Sequence, residues 1–155
     1  MRPVRLLLAA VAALWLILLL AAPSAALGVP VSAATYLFGS FICHQRADRS
    51  FHLAAAQLPV CARCFGLYAG AAVLLFAALP RTHLKVGPYL RTILLASALP
   101  TAVTWSAEVL GAWNPGNAVR FAAALPLGAA VALTVNYVEC ARTRPSGPRR
   151  PPTPT

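Results

Sequence analysis

The chain has 155 residues, of which 59% are hydrophobic and only 10% are charged, a balance that excludes an ordinary soluble domain. The formal net charge of +10 does not indicate nucleic-acid binding, because the basic residues are spread over short loops and chain ends. We therefore expect an integral membrane protein whose main surroundings are the lipid bilayer.

The apolar runs predict about four transmembrane helices, because a helix needs roughly 20 apolar residues to cross a bilayer. We expect the spans at residues 6–26, 61–79, 89–110 and 118–139. They predict an all-α polytopic membrane protein with a single helical domain over residues 1–140, since little sequence remains for a soluble domain. The sequence leaves open whether a second copy or another membrane protein is a partner.

The first span has an alternative interpretation as a cleaved signal peptide. It combines a basic start, an apolar core and small residues near Ala22, Ser24 and Ala26. The apolar core is at the long end for a signal peptide and is long enough to span, so we favour a retained helix.

Shorter features lie between and after the spans. Residues 31–44 are too few to cross and predict an interfacial or re-entrant helix that carries Cys43 and His44 to the membrane surface. Gly66 and Gly70 predict close helix packing in the second span. The basic, proline-rich residues 141–155 are expected to be disordered.

The distribution of basic residues predicts the orientation of the chain in the membrane. A cytoplasmic N-terminus places nine of them inside (Arg2, Arg5, Arg81, Lys85, Arg91, Arg142, Arg144, Arg149, Arg150) and four outside (Arg46, Arg49, Arg63, Arg120). Because basic loops favour the cytoplasmic side, we expect both termini inside and the cysteine-rich segment on the outer face.

The stretch "ICHQRADRSFHLAAAQLPVCARCFG" holds three of the four cysteines and two of the three histidines. A Cys-x-x-Cys pair at the start of a helix can supply two corners of a tetrahedral metal site. Cys43 and His44 could complete a set with Cys61 and Cys64, and His52 is a reserve ligand. Such a set suits zinc best, with iron or copper as alternatives.

Two other functions compete with the metal site. Cys61 and Cys64 could form a structural disulfide or serve as the working pair of a membrane thiol-disulfide oxidoreductase. Alternatively, helices kinked at Pro100 and Pro126 could line a path in a small transporter or form an assembly factor. With three acidic residues, no phosphate loop and no carboxylate pair, we expect no hydrolytic or phosphoryl-transfer activity.

The ends of the last two spans add polar residues to the same face. Glu108 is either an interfacial anchor or the partner of Arg120 or of an arginine in the cysteine segment. In the second case Glu108, Arg49, Arg63 and Arg120 would brace the metal ligands without binding the ion.

The motifs "CHQRADRSF" and "LPVCARCFGLYAG" resemble those of the prokaryotic membrane proteins grouped as domain of unknown function 2085. The resemblance extends more loosely to "NAVRFAAALPLG" in the last span and covers roughly residues 36–130. It implies that the cysteines and the adjacent histidine are the ligand candidates. The chain departs from the family pattern at "SAEVLG" and at residues 122–124, where the family has an acidic-glycine pair and a glycine.

Overall fold

The computed structural model describes residues 2–53, 55–78 and 86–142 of the chain, and these residues are mainly helical. The helices are α1 (Arg2–Ala21), α2 (Val29–Ile42), α3 (Ala62–Ala78), α4 (Leu90–Val109) and α5 (Asn117–Arg142). The all-α fold predicted from the sequence is therefore confirmed.

Three helical segments of the described chain are long and apolar enough to cross a membrane: Pro3–Ser24, Gly87–Val109 and Asn117–Arg142. The predicted second span, α3, has 17 residues, which is about 26 Å of helix and the lower end of the crossing range. On α4, Leu95, Leu99 and Val103 are exposed at four-residue spacing and form one outward apolar stripe. Such a stripe is what a lipid-facing helix presents.

Helices α3 and α5 pack with their backbones in contact. A Cβ atom added to Gly70 would lie 2.1 Å from the Leu125 carbonyl oxygen, and one added to Gly128 would lie 2.0 Å from that of Leu67. No real side chain tolerates such distances, so glycine is required on both helices. The close packing predicted from Gly66 and Gly70 is confirmed, and Gly128 supplies its counterpart on α5.

Helix α1 packs into this bundle through small and fully buried side chains. Ala9 contacts Leu75 of α3 and Ala132 of α5, while Leu19 packs against Val60 just before α3. The first span thus contributes core residues along its length.

The helix ends differ by a few residues from the expected bounds. Helix α2 covers Val29–Ile42, close to the short helix expected at residues 31–44, and Cys43 follows it on extended backbone. Helix α5 continues to Arg142, beyond the predicted end at residue 139. The rest of the predicted tail, residues 143–155, lies outside the described residues.

The link between α2 and α3 carries the only strands among the described residues. Strands β1 (His52–Leu53) and β2 (Ala56–Gln57) pair antiparallel, with His52 opposite Gln57. This two-residue hairpin was not predicted. It returns the chain from Cys43 to Cys61, so the residues at the two ends of the link become neighbours.

Candidate metal centre

Three cysteine sulfur atoms converge where α2 ends and α3 begins. Cys43 follows α2, Cys61 precedes the first residue of α3, and Cys64 lies in the first turn of that helix. All three Sγ atoms lie within 4.8 Å of one another. The backbone N–H of Cys61 also donates a hydrogen bond to the Cys43 sulfur at 3.1 Å. All three are free thiols, and they are the three cysteines of the predicted donor set, which also included His44 and, in reserve, His52.

The sulfur cluster rests on an apolar floor. Leu19 of α1 and Val60 are fully buried against Cys43, and the aromatic rings of Trp15, Phe65 and Tyr68 surround them. This packing excludes water from one side of the thiols. It also ties the position of Cys43 to helix α1, which is far from it in sequence.

The carboxamide of Gln45 fixes the segment that carries Cys43. Its Nε2 donates to the carbonyl oxygens of Tyr36 at 2.8 Å and Pro59 at 2.7 Å, so it bridges α2 and the approach to α3. Gln45 itself has a positive φ of 47°. A Cβ atom on Gly39 would lie 2.5 Å from the Pro59 oxygen, so only glycine allows α2 to approach this closely.

A cavity of about 340 Å³ opens beside the thiols. Its lining combines the three cysteines with cationic and aromatic side chains: His44, Arg46, Arg49, Arg63, Trp105 and Arg120. One wall is therefore sulfur and the other is guanidinium.

Glu108, at the end of α4, meets three arginines from three different elements. Its carboxylate lies 2.9 Å from Arg49, 2.8 Å from Arg63 and 3.0 Å from Arg120. The Glu108 side chain is only 7% exposed and that of Arg120 only 5%. A residue this deeply enclosed is not an interfacial anchor, and the alternative of pairing with arginine is the one seen.

Two asparagines complete the surroundings of Arg120. Its guanidinium donates to the side-chain oxygens of Asn117 at 2.9 Å and Asn114 at 2.6 Å. Asn117 in turn donates to the Ser50 carbonyl oxygen at 2.9 Å. The start of α5 is thereby bound to the hairpin link that carries the cysteines.

Hydrogen bonds within the cluster change the acidity of Cys43. The thiols of Cys61 and Cys64 donate to its sulfur and lower its pKa far below the usual range, with a smaller contribution from the Cys61 backbone N–H. Burial acts in the opposite direction and is outweighed. These hydrogen bonds therefore favour the thiolate form of Cys43.

The histidines stand apart from the three sulfur atoms. His44 lines the cavity but is exposed, because neighbouring side chains on extended backbone point to opposite sides and Cys43 takes the inward one. His52 is exposed on β1 and does not line the cavity. Among the described residues, neither histidine joins the group of ligand atoms.

The remaining polar residues of the segment have local roles or lie elsewhere. Arg46 and Asp48 form an exposed ion pair at 3.1 Å. Cys140 accepts a hydrogen bond from Arg5, near the start of α1 and the end of α5. The contacts of Gln45, Asn114 and Ser50 were not predicted, because their partners are backbone groups or residues distant in sequence.

Two uncharacterised archaeal proteins are similar in sequence to this chain. An uncharacterised protein of Methanothermobacter thermautotrophicus is 32% identical over 100 residues, which is 64% of this chain and 88% of the relative. An uncharacterised protein of Methanocaldococcus jannaschii is 29% identical over 101 residues, so the match spans 59% of each chain. No solved structure matches the chain.

The family pattern described as a predicted membrane protein, domain of unknown function 2085, matches residues 43–134. This match begins at Cys43 and includes both other cysteines of the cluster, Glu108 and Arg120. It covers more than half of the sequence. The chain therefore belongs to the family of predicted membrane proteins termed domain of unknown function 2085.

Proposed function

We propose that this membrane protein binds one thiophilic metal ion, with zinc the best fit, through Cys43, Cys61 and Cys64. The observation that carries the proposal is the convergence of three sulfur atoms within 4.8 Å from two separate segments. Zn–S bonds of about 2.3 Å in a tetrahedral site place sulfur atoms about 3.8 Å apart. A contraction of roughly 1 Å would therefore bring the cluster to coordination distance.

The surroundings support a metal-thiolate site. Thiolates are soft donors that favour zinc, iron or copper(I) over harder ions. The N–H of Cys61 donates to the Cys43 sulfur, the kind of outer contact that orients a thiolate ligand. Arg63 lies between the two cysteines of the pair in sequence and lines the cavity beside them, where its positive charge favours ionised thiols.

The ion would join the end of α2 to the start of α3, two elements linked by the short hairpin. Its fourth position is supplied either by an external ligand or by His44 after rotation of the ring toward the cavity that it lines. Glu108, Arg49, Arg63 and Arg120 would hold the surrounding elements in place without touching the ion.

Elemental mass spectrometry on detergent-purified protein tests the proposal, together with a count of free thiols on the same sample. We expect about one metal ion per chain, lost in the Cys61→Ser/Cys64→Ser variant. Cys140→Ser is the matched control and should retain the ion, because Cys140 contacts Arg5 instead of the cluster. A His44→Ala variant that keeps the ion would assign the fourth position to an external ligand.

A thiol-disulfide oxidoreductase is the competing function, and the lowered pKa of Cys43 beside two half-buried thiols favours it. The same experiment separates the two. Absence of metal, together with two fewer reactive thiols than the four cysteines of the sequence, would contradict the metal site. It would make a reversible disulfide the chemistry to examine.

The charge distribution supports an orientation in which both termini are cytoplasmic and the metal centre faces outward. Reporter fusions to the C-terminus test the orientation. Activity of a reporter that works only outside the cytoplasm would contradict it.

A further inference from the structure

The guanidinium wall of the cavity carries more positive charge than its buried carboxylate balances. Arg49, Arg63 and Arg120 share the single carboxylate of Glu108. Asp48 pairs with Arg46 at 3.1 Å and also lies 3.7 Å from Arg49, so four arginines share two carboxylates. Three thiolates around a divalent ion would supply one net negative charge, so the positive excess persists with or without a metal.

The same arginines retain unused hydrogen-bond donors. The side chain of Arg120 is 5% exposed, yet its Nε has no partner among the described residues. The buried Nε atoms of Arg49 and Arg63 also make no hydrogen bond within the described part of the chain, although that of Arg49 lies 3.7 Å from the Asp48 carboxylate. Buried donors and unbalanced buried charge are both unfavourable, and an anion that enters the cavity would relieve the charge imbalance.

The size and the position of the cavity suit a small anionic group. About 340 Å³ lies within the range of small-ligand sites. Trp105 lines the cavity while the residue is 56% exposed, as is typical of a tryptophan at the membrane interface. The cavity can therefore be reached from the interface.

We propose that this cavity binds an oxyanion group of the carboxylate or phosphate type, with Arg49 as its principal contact. Arg49 is 34% exposed, whereas Arg63 is 14% exposed and Arg120 is almost enclosed, so Arg49 alone can turn to a ligand without repacking. The planar guanidinium fork matches the paired oxygens of such a group. The group belongs either to a soluble anion or to an anionic lipid headgroup.

Isothermal titration of the full-length protein in non-ionic detergent tests this site. The probes are inorganic phosphate, acetate, and detergent micelles doped with phosphatidylglycerol or, as reference, phosphatidylcholine. We expect saturable binding of at least one anionic probe, about tenfold or more weaker in Arg49→Gln. Arg91→Gln is the matched control for net charge, because Arg91 lies on α4 about 26 Å from Glu108 and is exposed.

The outcomes separate the ligand sources and the two proposals. Binding of phosphatidylglycerol but not of phosphate or acetate assigns the site to a lipid headgroup, and the converse assigns it to a soluble anion. Anion binding that survives in Cys61→Ser/Cys64→Ser stands even if the protein proves to hold no metal. Absence of saturable binding in the wild type, or equal affinities in Arg49→Gln and wild type, would overturn the inference.

Discussion

The Glu108→Gln substitution offers the sharpest test of how the polar end of the bundle is held together. The change keeps the size of the side chain but removes its negative charge. Arg63 and Arg120 are then left enclosed without a counter-charge, and the more exposed Arg49 loses its buried partner. Removal of one member of a buried ion pair costs about 3–5 kcal/mol, against at most about 1 kcal/mol for an exposed pair.

The expected loss in the free energy of unfolding is therefore about 3 kcal/mol or more, since the Arg120 pair is almost fully enclosed while the Arg49 pair is partly screened by solvent. Unfolding in mixed micelles of a mild detergent and dodecyl sulfate measures it, with helicity followed by circular dichroism. Asp48→Asn is the control, because Asp48 is an exposed carboxylate paired with Arg46, and we expect no measurable change. A loss below about 1 kcal/mol for Glu108→Gln would refute the reasoning.

Further predictions concern packing and the support of the cysteine segment. Gly70→Ala should destabilise the bundle by about 1–3 kcal/mol, because the added Cβ would lie 2.1 Å from the Leu125 carbonyl oxygen. Gly116 has open space around it, so Gly116→Ala should leave the free energy of unfolding unchanged in the same assay. Gln45→Ala should lower the free energy of unfolding by about 1–3 kcal/mol, since two backbone carbonyls lose their hydrogen-bond donor. The variant should also retain metal less well during dialysis against a chelator. Unchanged retention would contradict this prediction. Leu19→Ala should lower the free energy of unfolding by about 2–5 kcal/mol, because it leaves a cavity in the apolar floor beneath the thiols. The alkylation rate of the three clustered thiols should increase as well. An unchanged rate would contradict this packing.

Much of the fold follows from local sequence. Helices α1, α4 and α5 are continuous apolar runs of about the length that a bilayer requires, so hydropathy and length predict them directly. The close contact of α3 with α5 was visible as a glycine pair at four-residue spacing. The β1–β2 hairpin could not be predicted from the sequence, because strands of two residues such as His52–Leu53 are too short to show an alternating pattern.

The three clustered cysteines illustrate where sequence spacing stops being informative. Cys61 and Cys64 share a helix turn, so their proximity follows from the sequence. The approach of Cys43 to this pair depends on the hairpin and on the Gln45 bridge between α2 and α3. Composition alone indicated only that Cys43 was a candidate ligand. His44 was grouped with Cys43 because it is adjacent, but adjacency on extended backbone separates side chains instead of joining them.

The position of Arg63 explains why the cysteine cluster and the ion-pair group around Glu108 should respond to each other. Cys61 and Cys64 lie three residues apart and face the sulfur cluster, whereas a residue between them is rotated by roughly 200° from Cys61 at 100° per residue. That rotation directs Arg63 toward Glu108 on α4, with the ion pair at 2.8 Å. The first turn of α3 thus contributes both to the sulfur cluster and to the ion-pair group, and Arg63 lines the same cavity as the two cysteines. A change that releases Arg63 should also loosen Cys64, which is next to it in the same turn.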